Sequence, residues 1–133
     1  MASNAVLTVC DFLAGFGQSL ESDLDNMQRY LSVDVAFHTG VKPFDTLAAA
    51  IDYWRDAMGG LGIECFKVRI CHVGEGEDDH VFVERWDDLI DRQGRTVASL
   101  LIAAIFVVRD GRITQWRDYF NPDEMRRQLA ART

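Results

Sequence analysis

A chain of 133 residues, 48% hydrophobic and 26% charged, has the composition of one folded domain and is too apolar to be disordered. Fourteen Lys and Arg stand against 21 Asp and Glu, and the net charge of −7 argues against nucleic acid or an anionic membrane as partner, because both need a basic patch. The longest apolar run, residues 100–108, is about half of what a membrane helix needs, and a core of this size requires no disulfide or metal.

Cys10, Cys65 and Cys71 are odd in number and carry no CxxC spacing, which fits a reduced compartment better than a disulfide framework. The first residues lack a basic segment and hold Asp11 inside their apolar stretch, so they read poorly as a signal peptide. The expectation is a single cytoplasmic domain spanning 1–133.

Residues 5–20 read as one helix, with Val6, Val9, Cys10, Leu13, Phe16 and Leu20 on a stripe and Ser3 or Asn4 as cap. Ser22 with Asp25 opens a shorter helix carrying Leu24, Met27 and Leu31. Residues 33–39 read as a short strand or a strand-like bend. Thr46 then caps a third helix with Leu47, Ile51, Trp54 and Met58 on one face, stopped by Gly59 and Gly60.

After Gly62 the period changes from helical to two. Residues 63–73, 80–91, 96–108 and 112–120 read as four long strands, and Asp110-Gly111 is the strongest hairpin signal. Asn121 caps a closing helix over 122–131 that starts with Pro122. Helices followed by a run of strands predict an α+β fold: a strongly curved antiparallel or mixed sheet, with three to four helices on its concave side enclosing a pocket.

One strand breaks the pattern. Val81, Val83, Arg85, Asp87 and Leu89 share a face, so two charges stand among aliphatic neighbours, while Phe82, Glu84, Trp86 and Asp88 face the other way. On the last strand Asp118 lies between Trp116 and Phe120. Read from the residues alone, an Asp–Arg–Asp cluster is either a structural ion pair or an acid/base pair. Two carboxylates sharing one cation are not neutral, so one holds its proton more tightly than the other, which is what acid/base chemistry uses.

ERWD at 84–87, DGRIT at 110–114 and WRDYF at 116–120, with their mutual spacing, resemble the limonene-1,2-epoxide hydrolase family. Its fold is the cone of nuclear transport factor two (NTF2) and the SnoaL-like cyclases. The resemblance implies cofactor-free, metal-free opening of a small apolar or cyclic epoxide to a vicinal diol. It makes Asp118 the general base on water, Asp87 the general acid on the epoxide oxygen, and Arg85 the bridge between them. It also implies a homodimer. Phe37, Val83, Leu89, Leu100, Ile102, Trp116, Phe120 and Met125 would line the pocket. The family's water-positioning Tyr and Asn are replaced here by Phe37 and Thr39, with His38 between them facing away unless a bulge turns it inward. Thr39 and His38 are the remaining candidates for holding water. Fold-level likeness alone would leave a SnoaL-like cyclase or isomerase, or a non-catalytic binding domain, equally open.

Other features read as structural. His72 and His80 with Cys71 lack the spacing of a metal site, the glycines of GEGE belong to a turn, and Tyr30, Tyr53 and Trp54 are packing or interface aromatics.

Overall fold

The computed structural model describes residues 3–132; Met1, Ala2 and Thr133 of the expected 1–133 domain lie outside the described residues. Four helices and six strands follow in the order α1 (Asn4–Ala14), α2 (Leu20–Tyr30), β1 (Leu31–His38), β2 (Pro43–Phe44), α3 (Leu47–Gly60), β3 (Ile63–Glu75), β4 (His80–Asp91), β5 (Thr96–Arg109), β6 (Arg112–Tyr119) and α4 (Pro122–Ala131). The strands form one curved, open sheet in the order β2-β1-β6-β5-β4-β3. The β1–β6 pair is parallel and every other pair antiparallel, so the sheet is mixed. Register shifts within β1, β3, β4 and β5 are the bulges that bend such a sheet into a cone.

The single helix expected over 5–20 is two elements. Gly15 ends α1, and a side chain there would displace Asn26, since its Cβ would lie 2.1 Å from Oδ1 of that residue. Asn26 donates from Nδ2 to the Phe12 carbonyl, which also accepts from the Gly15 amide that closes α1. Ser19, three residues before the expected start, caps α2 by accepting from the Ser22 amide. The third helix continues through Gly59 and Gly60 and turns only at Gly62, where φ is +72°. Asp110 and Gly111 both take positive φ, 53° and 76°, as the two-residue hairpin between β5 and β6 demands.

β4 has a dry face and a wet one. Val81, Val83, Arg85, Asp87 and Leu89 are buried beneath the helices, whereas Phe82 and Glu84 are exposed. An aromatic cluster fills the concave side: Phe12 stands edge-on to Trp116 at 5.1 Å, and Phe37 stacks on Trp116 at 4.1 Å. α4 buries no residue fully and lies along β5 where β6 has ended. There the Gln128 amide accepts from the Ser99 N–H and donates to the Ser99 carbonyl, occupying backbone groups that no strand pairs on that side. No helix is long and apolar enough to cross a membrane.

Candidate active site

The pleat of β4 and the register with its neighbours bring three charged residues together at the base of the cone. Arg85 lies opposite Ile102 and Asp87 opposite Leu100 on β5; Asp118 lies opposite Ala104 from the other side of β5. All three are buried, with relative exposures of 1% for Arg85, 9% for Asp87 and 6% for Asp118.

The guanidinium holds both carboxylates. Nε and Nη2 donate to Asp87 at 2.8 and 3.2 Å, and Nη1 and Nη2 donate to Asp118 at 3.1 and 3.0 Å. The planar fork of Arg suits this double grip, which a point charge such as Lys would not provide. Burial alone would favour a neutral side chain at Arg85, but the flanking carboxylates overrule it and raise its pKa. Burial also pushes the Asp87 carboxyl above its ordinary value; the pull of Arg85 opposes this, and Asp118 and Asp88 add to it. The two carboxylates are not equivalent. Asp118 receives a further donor, the Trp116 indole N–H at 2.7 Å, and among the described residues no comparable donor reaches Asp87.

Asp87 and Asp118 open onto a cavity of about 90 Å³. Leu89, Leu100, Ile102, Phe120, Met125 and Phe37 line it, as the sequence leads one to expect. Val83 and Trp116 do not. Val83 is packed in the core, and Trp116 lies beneath the carboxylates, bordering a second cavity of about 10 Å³ with Arg85 and Asp87. The opposite wall comes from α3 and β3: Tyr53, Trp54, Met58 and Phe66. Sequence reasoning places Trp54 and Met58 on one helical stripe but gives no sign that the stripe faces a cavity rather than solid core. A larger depression of about 520 Å³ lies between α4 and the start of β5. It is shallow and, among the described residues, lined by Arg95, Arg127 and Arg132 with no carboxylate, whereas the smaller and more sheltered cavity carries the buried charged cluster.

The two candidates for holding water fare differently. His38 is exposed, its Nδ1 accepting from the Gly40 N–H, and does not line the cavity, because no bulge reverses the alternation at the end of β1. Thr39 does line it, but its hydroxyl is engaged in its own turn, donating to the Lys42 carbonyl and accepting from the amides of Val41 and Lys42. Among the described residues no group of His, Cys, Asp and Glu is arranged to hold a metal.

Comparison with known proteins identifies the family and the fold. An LEH-like epoxide hydrolase of M. tuberculosis is 29% identical, covering 96% of this chain and 90% of its own, with a TM-score of 0.72. An NTF2-like protein of unknown function from Burkholderia pseudomallei K96243 is 19% identical, covering 98% of this chain and all 100% of its own, with a TM-score of 0.73. A SnoaL-like protein of Shewanella putrefaciens CN-32 is 14% identical, covering 99% of this chain and 100% of its own, with a TM-score of 0.76. These last two share the fold. Among curated proteins nothing matches. The family model described as the limonene-1,2-epoxide hydrolase catalytic domain matches residues 3–131, and the chain belongs to that family.

Proposed function

We propose that the protein is a cofactor-free epoxide hydrolase that opens a compact apolar or cyclic epoxide to a vicinal diol. The observation that carries this reading is the unequal pair of buried carboxylates on one arginine, facing an apolar cavity. A cluster of one cation and two carboxylates becomes neutral when it holds one proton, and burial, which raises the Asp87 pKa, supports Asp87 as its holder. Asp118, with Trp116 donating to it, stays the acceptor.

In the proposed step the water oxygen attacks a ring carbon as the ring C–O bond breaks. A water proton passes to Asp118, and Asp87 gives its proton to the departing oxygen. The product is a diol, and the cluster keeps the same number of protons, with the proton now on Asp118. Arg85 keeps its charge throughout and fixes both carboxylates. A cavity of about 90 Å³ is well below the roughly 300–1,000 Å³ of drug-sized sites, which favours a small substrate. The unpaired state of Cys10, Cys65 and Cys71 supports a cytoplasmic setting. Leu101 and Phe82, exposed on the convex face of the sheet, support self-association as a homodimer.

The test is diol formation from a panel of small cyclic epoxides. Asp118→Asn should lower turnover by about 10²–10⁴ while leaving the fold intact; unchanged activity would sink the reading. A second reading uses the same cluster for ring opening by a hydroxyl of the substrate itself, as a cyclase would. The lack of a free polar group on Phe37 and Thr39 favours it. Oxygen-18 water separates the two, since only hydrolysis puts solvent oxygen into the product.

A further inference from the structure

Among the described residues two buried side-chain polar atoms lack a hydrogen-bond partner: Ser32 Oγ and Trp54 Nε1. Ser32 does not border the cavity; Trp54 does, and it also borders the small cavity of about 10 Å³ beside Arg85 and Asp87. A buried donor left unpaired is costly and rare, so one on a cavity wall marks a place where an occupant of that cavity supplies the acceptor.

The ring of Trp54 is fixed. It sits edge-on to Phe66 at 5.0 Å, near-parallel to Phe37 at 5.8 Å and 6.0 Å from Trp116, the residue whose own N–H is committed to Asp118. Indole N–H is a donor only. Its partner must therefore be an oxygen with a spare lone pair. The proposed reaction already contains one, because the attacking water gives one proton to Asp118, attacks with one lone pair and has another left to accept. Phe37 has no polar atom and the Thr39 hydroxyl is occupied, so neither residue competes for it.

We infer that the Trp54 N–H holds the attacking water beside Asp118. This rests on the hydrolase reading above. It assigns to α3 a water-holding residue on the wall opposite the sheet, so the nucleophile is gripped from both sides of the cavity. A hydrogen bond to the second lone pair leaves the attacking one free and fixes its direction.

The test uses Trp54→Phe and, as an isosteric control, the protein with 3-benzothienylalanine at position 54, which keeps the bicyclic ring and lacks the N–H. Both are assayed with the cyclic epoxide that the wild-type protein hydrolyses fastest, in water and in water–methanol mixtures. Both proteins should lose about tenfold in kcat and yield a larger share of methoxy alcohol at the expense of diol, and the isosteric one should keep the wild-type KM and melting temperature. A purely structural N–H, satisfied by a water in the small cavity behind it, would lower the melting temperature and leave the product ratio alone; that result overturns the inference. If either protein lacking the N–H matches the wild type in kcat and diol share, the inference fails while the hydrolase reading stands. A wild type inert toward the whole panel overturns both.

Discussion

Two buried acidic sites solve the same problem in opposite ways. Asp23, fully buried on α2, pairs with no cation among the described residues; its carboxylate accepts from the amides of Gly17 and Phe66, each at 2.9 Å. Burial pushes its pKa up to about 6, because two neutral dipoles do not replace the water it has lost. Asp87 and Asp118 share the charged guanidinium of Arg85 instead. The first arrangement ties a loop to a strand. The second keeps charge available in a dry place, and a permanent cation is what makes that possible.

Removing the cation should break the comparison most severely. Arg85→Met leaves two carboxylates buried without compensation, and denaturant unfolding at neutral pH should show a loss of about 3–5 kcal/mol. Much of it should return in acid, where both carboxyls take protons. Asp23 offers a finer test. Its folded pKa of about 6 lies above the ordinary 3.8, so the folded state binds the extra proton between these values. Stability from this site is present below the ordinary value and is lost as pH rises through about 6. Asp23→Asn should erase that slope and cost roughly 1–3 kcal/mol on the acid side, because the amide nitrogen cannot accept from a backbone N–H; a variant with the wild-type slope would assign the titration elsewhere. Trp116→Phe keeps an aromatic ring but deletes the donor to Asp118 and leaves a gap in the aromatic cluster, and should lower kcat about tenfold and lower the melting temperature as well. At the far end, Arg127→Ala removes an exposed partner of Glu124 on α4 and should leave activity and melting temperature where they were.

The parts of the fold written locally are legible. Alternation along β4 is enough to place Arg85 and Asp87 on the dry face, and the Asp-Gly pair is enough for the last hairpin. α4 runs over the residues its Asn-Pro start implies. What stays hidden depends on distant partners. The apolar stripe runs in phase through Leu13, Phe16 and Leu20, so the break at Gly15 appears only once Asn26 occupies the space beside it. The parallel pairing of β1 with β6 joins segments some eighty residues apart, and β2, two residues long, exists only through its pairing with β1. The candidate site divides the same way. Its charges are visible because they violate a pattern, whereas Tyr53, Trp54 and Met58 obey one and look like ordinary core.

The Gln128 amide laid against Ser99 has a consequence for handling the protein. α4 has no fully buried residue, so it is among the segments that open first. When it lifts, the unpaired start of β5 becomes a sticky ribbon and the Met125 side of the cavity loses its cover. Exchange of the Ser99 amide proton is then a clock for that opening, and conditions that quicken it should also quicken clumping during storage.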